Sequence, residues 1–510
     1  MSSPVLEVNS STLVLDERIS HRPLTLAVSD VTGLALLTPF VLLIHGYHPF
    51  ADDAGIYVAG IRKMLDPTLY GVDANFVVAH TRLSVFSHLF AGTVRLFHIP
   101  LEMGLLAAYL ASIFAFLLGC FRMSQRIYQD AQLQWGATLF AGALFTLPVA
   151  ATALWVMDPY VTARSFSTPI SLFALMACID RDWKRTTLWF MVVAVLHPLM
   201  AAYLATFLVA YALVSRTRWL WLAAACMAAF AGCAAIYLAT RHAALPEGYR
   251  EAVLTRTYFF LSFWRWYEVL GLVVPLLLML LASFRTHNVV IRNLCIACLA
   301  TGMTASAAAA CFVHTTGSFF LARIQPLRAF QLIYLIGILL LGSFLAEHLR
   351  AWRAALWAAL LLVSGLMMLV QKQVYTTSAH VEWPFVAPHN PWQQSFLWIR
   401  ANTPKDAVFA LDSDYTKVDS EDTQGFRATT ARSALVDELK DGGVVAIFPE
   451  LAPRWKTQRD LELGLDRISD QERVARLRPA GVTWILLSSA AATQLQCPYR
   501  NAAVTVCRLP

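Results

Sequence analysis

The sequence predicts a polytopic α-helical membrane protein with a C-terminal extracytoplasmic α/β domain. Three observations lead there. Of 510 residues, 58% are hydrophobic and only 14% are charged, against roughly 25% charge in an ordinary soluble domain. Mean hydropathy is +0.55, and long apolar runs recur between residues 24 and 371. Beyond residue 371 the composition turns polar, over a stretch long enough to bury a core of its own.

The first apolar run, residues 24–44, follows a polar amino-terminal segment, residues 1–23, without a small-residue cleavage site. No cleavable signal peptide is therefore expected. Further runs at 101–121, 135–157, 168–179, 189–215, 219–240, 266–284, 290–313, 327–345 and 354–370 read as membrane helices. Splitting 189–215 at His197-Pro198 into a tight helical pair gives about eleven spans, at about 20 residues per crossing. Residues 46–100 form a large first loop, in which 83–97 reads as an interfacial amphipathic helix because Ser84, Ser87, His88 and Arg95 interrupt it.

With 83–97 off the span count, Arg122, Arg126, Arg181, Lys184, Arg185, Arg216, Arg218, Arg285, Arg292, Arg350 and Arg353 all fall on one side. An excess of Lys and Arg marks cytoplasmic loops, so the amino terminus is expected in the cytoplasm and the tail outside it. The net charge of +7 is spread over these short loops, which excludes a nucleic-acid partner as its explanation. Cys295-x-x-Cys298 lies within an apolar run and reads as helix packing rather than a redox or metal motif. Cys497 and Cys507 lie in the polar tail and form a disulfide candidate if that tail faces an oxidising compartment.

In the tail, residues 391–400 read as an amphipathic helix halted at Asn402-Thr403-Pro404. Short strands are expected at 407–411, 443–448, 482–487 and 503–507, and a charged helix at 460–477. The region from Gly425-Phe426-Arg427-Ala428 to Lys440-Asp441-Gly442 carries no assignment.

The chemistry is expected at the extracytoplasmic ends of the spans. Asp52 and Asp53 follow the first span directly, and carboxylates at a membrane mouth are costly unless something uses them. They also suit the first turn of a helix over 51–65, because carboxylates complement its dipole; capping and catalysis are compatible there. A carboxylate at this place either takes a proton from an acceptor or, with Asp158, holds a divalent cation such as Mg or Mn. Asp158 leaves a later span on the same side, with Arg164 close behind it. Arg323 and Arg328 open another span and run against the positive-inside trend; guanidinium groups grip phosphate oxygens with two-pronged hydrogen bonds. His80, Arg82, Arg164, His197 and Glu268 form a candidate substrate groove. No phosphate-binding Gly-rich loop is present, which argues against an ATP-driven pump.

Three features together resemble the GT-C superfamily of integral-membrane glycosyltransferases. These are Asp52-Asp53-Ala54-Gly55-Ile56-Tyr57 after the first span, Asp158 as a second external acid, and Trp398-Ile399-Arg400-Ala401-Asn402-Thr403-Pro404 leading into the tail domain. The superfamily includes oligosaccharyltransferases, protein O-mannosyltransferases and lipid A aminoarabinose transferases. The resemblance implies a multi-pass protein of the bacterial inner membrane that moves a sugar from a polyprenyl-phosphate-linked donor to a lipid, glycan or protein acceptor. It implies catalytic roles for Asp52, Asp53 and Asp158, and lipid-phosphate binding by Arg323 and Arg328. No Trp-Trp-Asp motif is present, so the likeness does not extend to protein N-glycosylation. Two other classes fit the layout: a transporter or flippase of lipid-linked glycans, and a non-catalytic scaffold for envelope assembly. A transporter would bury its ionisable groups near the membrane midplane, whereas here they gather towards one face.

Overall fold

The computed structural model describes residues 26–317, 319–417 and 423–510. The polar amino-terminal segment, with the expectations placed on it, lies outside them. The described chain is mostly helical, with a small sheet near its carboxyl end.

Among the described residues, seven helices are long and apolar enough to cross a membrane: Val28–His45, Leu101–Ile127, Trp219–Thr240, Trp266–Arg285, Val289–Phe312, Phe320–His348 and Arg353–Val374. Arg164–Ile179 and Pro198–Val214 are apolar but shorter. Their starts follow local rules. Asp130 and Asn288 accept hydrogen bonds from the first free backbone N–H groups of their helices. His197 caps the helix that begins at Pro198, where a missing N–H costs nothing.

The run expected as one span at 135–157 differs. Its helix ends at Ala143, and Leu147–Val156 folds back as a small hairpin. Val149 N donates to Leu154 O at 2.8 Å and Val156 N to Leu147 O at 2.9 Å. Pro148 has no N–H to continue a helix, and the hairpin satisfies the freed backbone groups within the protein. Asp158 follows directly.

Arginine-bearing turns meet at one end of the bundle. Arg126 pairs with Asp180 at 2.6 Å, Arg350 with Asp130 at 2.9 Å, and Asn288 Nδ2 reaches Ile127 O at 3.1 Å. At the other end His48 N donates to Pro159 O and Tyr47 N to His380 O. The helix Phe86–Phe97 has 12 residues, too few for the roughly 20 a crossing needs. It buries Phe86, Ala91 and Val94 and leaves Leu89, Leu96 and Phe97 exposed.

The C-terminal sheet has five strands: β1 (Val408–Leu411), β2 (Ser433–Ala434), β3 (Trp484–Ser488), β4 (Tyr499–Arg500) and β5 (Val504–Arg508). Their spatial order is β2-β1-β3-β5-β4. Strand β1 runs parallel to β2 and β3, and β5 antiparallel to β3 and β4. Alternation sorts the side chains, since successive residues of a strand face opposite ways. Phe409, Trp484, Val504 and Val506 meet Phe396 and Ile399 of the helix Pro391–Asn402. Val408, Ala410, Ile485 and Leu487 face the other way, onto Leu465 and Leu477. Cys497 is disulfide-bonded to Cys507 beside this second layer.

Two local expectations fail in the tail. Of residues 443–448, read as a strand, all but Phe448 belong to the helix Lys440–Ile447. Val444, Val445 and Ala446 pack there against Tyr249, Ala252 and Val253; a short apolar run does not tell a buried helix from a strand. The helix read over 460–477 is two, Ala452–Glu462 and Asp470–Leu477, parted at Gly464, whose φ of +73° favours glycine.

The tail domain docks directly on the first loop. Buried Arg62 donates from Nε to Ala428 O at 2.6 Å and pairs with Glu102 at 3.0 Å. Tyr70 Oη donates to Arg427 O at 2.7 Å. Gly425, at φ +83°, lies so close that a Cβ there would collide with the Phe50 carbonyl. This contact sets the tail domain against Asp52 and Asp53.

Candidate functional site

The helix Asp52–Leu65 begins after Ala51, and no side chain caps it. Both acids occupy its first turn, where the helix dipole favours them. Asp52 adopts a φ of +44°, a left-handed conformation uncommon outside glycine and costly to hold. The two neighbouring carboxylates then diverge.

Asp53 turns into the helical bundle. Its Oδ2 accepts from Arg164 Nη1 at 2.9 Å. The same guanidinium donates from Nε to Asp158 Oδ2 at 3.1 Å and reaches that oxygen with Nη2 at 3.0 Å. Arg164 opens the helix Arg164–Ile179 and is buried. The Asp158 side chain is 3% exposed and that of Asp53 34%, so Asp53 is the acid a substrate can reach. Burial opposes ionisation of Asp53, but the Arg164 and Arg328 charges outweigh it and hold the carboxyl below its usual range. At Asp158 burial dominates and pushes the carboxyl up, with Arg164 offsetting only part of it.

Asp52 turns towards the tail domain. Tyr160 Oη donates to its Oδ2 at 2.6 Å, and Lys440 forms an ion pair with its Oδ1. Burial pushes the Lys440 ammonium down to about 7. Lys440 and Asp52 share the wall of a cavity of about 50 Å³ with Arg427, Asp437, Asp441 and Glu462. None of these tail residues stood out in the sequence. The only signal was that the region from Gly425 to Gly442, which holds Arg427, Asp437, Lys440 and Asp441, had no assignment.

The remaining candidates divide. Arg328 and His80 lie close enough to Asp53 for their charges to bear on its carboxyl. His80 Nδ1 is buried and has no partner among the described residues, and burial lowers the imidazole's pKa. His197 Nδ1 accepts from Met200 N at 3.4 Å as a helix cap, and its ring faces the same group of charges. Arg328 Nε donates to Thr152 O at 3.4 Å. Arg323 points elsewhere, donating to Ile447 O at 3.1 Å and lying over the Phe320 ring. Arg82 is exposed. Glu268 accepts from Arg265 N at 2.6 Å at the start of its own helix.

An apolar groove of about 410 Å³ runs between the helices Pro198–Val214, Trp219–Thr240 and Val289–Phe312. Leu321, Ile324, Pro326 and Ala329 also line it, in the two short helical turns that carry Arg323 and Arg328.

The expected metal ligands, Asp52 and Asp158, are turned to Lys440 and Tyr160 and to Arg164. Among the described residues no three His, Cys, Asp or Glu side chains converge as a metal site. No family model matches the chain, and no curated protein matches it either.

Proposed function

We propose that the chain is a membrane-embedded glycosyltransferase of GT-C type, working on a polyprenyl-phosphate-linked sugar at the extracytoplasmic face. One observation carries this reading. The reachable, ionised Asp53 pairs with Arg164, which also holds Asp158, within the field of Arg328, and Arg328 neighbours Pro326 and Ala329 in the lining of an apolar groove. A lipid tail suits that groove, which is walled by small and aliphatic side chains. Arg328 would then hold the phosphate, since a guanidinium matches phosphate oxygens. The sugar would lie between Arg328 and Asp53.

Asp53 would take the proton of the acceptor as its hydroxyl or amine attacks the sugar, which requires the ionised carboxylate that the two arginines maintain. The sugar–phosphate bond breaks as the new bond forms, and the charge left on the lipid phosphate falls to Arg328. Asp158 would act by positioning Arg164. No step is routed through a metal ion.

Purified protein in lipid nanodiscs tests this with a panel of polyprenyl-phosphate-linked sugars, read as release of free polyprenyl phosphate. Arg328→Ala should raise the donor KM by roughly 10- to 150-fold, the value of one lost charge-assisted hydrogen bond of about 1.5–3 kcal/mol. An unchanged KM in this variant, or no donor consumed by the wild type, would contradict the reading.

A further inference from the structure

The cavity beside Asp52 has an uneven charge. Five acids line it (Asp52, Asp412, Asp437, Asp441 and Glu462), but only two cations, Arg427 and Lys440. Both cations are taken. Arg427 pairs with Asp441 at 2.8 Å and gives its other Nη to the carbonyls of Ala434 and Leu435. Lys440 pairs with Asp52. Among the described residues, Asp412, Asp437 and Glu462 are left without a cationic partner.

A second observation points into the same space. Glu462 is 1% exposed, and its Oε1 accepts from Leu411 N at 3.0 Å. Its Oε2 is buried with no hydrogen-bond partner among the described residues. A buried, unpaired carboxylate is costly unless it is neutralised or joined by a cation. Burial accordingly pushes Glu462 well up, and burial together with the Asp441 charge pushes Asp437 up to about 7.

We propose that this cavity binds the protonated primary amine of a ligand, between Glu462, Asp437 and Asp412. A volume of about 50 Å³ holds a few water-sized groups, at roughly 10–15 Å³ each, which suits an aminoalkyl end and not a whole sugar ring. An ammonium is a compact charge with rotatable donors; it would give one to Glu462 Oε2, the buried oxygen without a partner among the described residues, while Asp437 and Asp412, which already accept backbone N–H groups, add negative charge to the same wall. Resting on the transferase reading, the ligand is the acceptor: Asp52 lies in the wall, and the neighbouring Asp53 faces the proposed transfer site.

The test is equilibrium binding without turnover, on the full chain in nanodiscs. Ethanolamine is compared with ethylene glycol, its near-isosteric neutral twin, by thermal shift and by calorimetry in two buffers of different ionisation enthalpy. Ethanolamine should raise Tm in a saturable way and release protons near pH 6, while ethylene glycol does neither. Glu462→Gln and, separately, Asp437→Asn should each weaken ethanolamine binding by about tenfold. An equal response to both probes overturns the proposal, as does ethanolamine binding that both variants leave intact. Because no sugar is transferred, a failed transfer reaction leaves this result standing, and failed amine binding leaves the transferase reading standing.

Discussion

Arg164 is the residue on which the arrangement turns. It is one guanidinium, nearly closed to solvent, joined to a buried acid on one side and a reachable acid on the other. Removing it would strand Asp158 as an uncompensated charge in a dry environment. Arg164→Ala should therefore cost about 3–5 kcal/mol of stability, read as a lowered Tm in detergent, and lose most of that penalty when combined with Asp158→Asn. A drop no larger in the single variant than in the double variant would show that the two residues are not coupled. Asp52 and Asp53 show what adjacent positions in a first helical turn can do. They point to different partners, one in the tail domain and one in the bundle. The pair was legible as a pair in the sequence. Its division was not, because the partners Tyr160 and Lys440 lie 108 and 388 residues away.

At the scale of elements, what carried over from the sequence was whatever a local period or a punctuating residue sets. The apolar runs at 219–240 and 354–370 became helices because nothing within them breaks one. His197-Pro198 made a tight turn through cap and ring. Strands at 408–411 and 484–488 appeared close to where buried alternation placed them. What failed was set by tertiary partners. Pro148 and its hairpin replaced the second half of an expected span, and Tyr249, Ala252 and Val253 drew 440–447 into a helix. Gly425 belongs to the same class: its importance appears only when Phe50 is seen against it. Gly425→Ala should cost about 1–3 kcal/mol through backbone strain and the collision. It should also loosen the tail domain, read as faster proteolysis within residues 375–390 at unchanged helical content. Wild-type proteolysis rates in this variant would mean that the close contact at Phe50 is dispensable.

At the scale of the whole molecule, the tail domain completes a polar cavity at the end of the membrane bundle. Acid pressed into that junction should make stability depend on pH. Asp437, facing Asp441, Arg427 and Lys440, has a folded pKa of about 7 against an ordinary value near 3.8. The folded state therefore binds the proton more tightly than the unfolded chain. The resulting stabilisation is fully present below about pH 4 and is lost as pH rises through about 7. Thermal unfolding should show Tm falling across that window, and Asp437→Asn should flatten the slope; an unchanged slope in this variant would assign the dependence to another group. Placing such a junction beside Asp53 also fits an acceptor approaching from the tail side and a lipid donor from the groove side.

Whether Asp53 takes the acceptor's proton during sugar transfer is decided by the turnover of Asp53→Asn. With donor and acceptor saturating, kcat for release of polyprenyl phosphate should fall by roughly 10²–10⁴-fold, with donor binding retained because the phosphate contact at Arg328 is untouched. A variant that turns over at the wild-type rate would contradict the account.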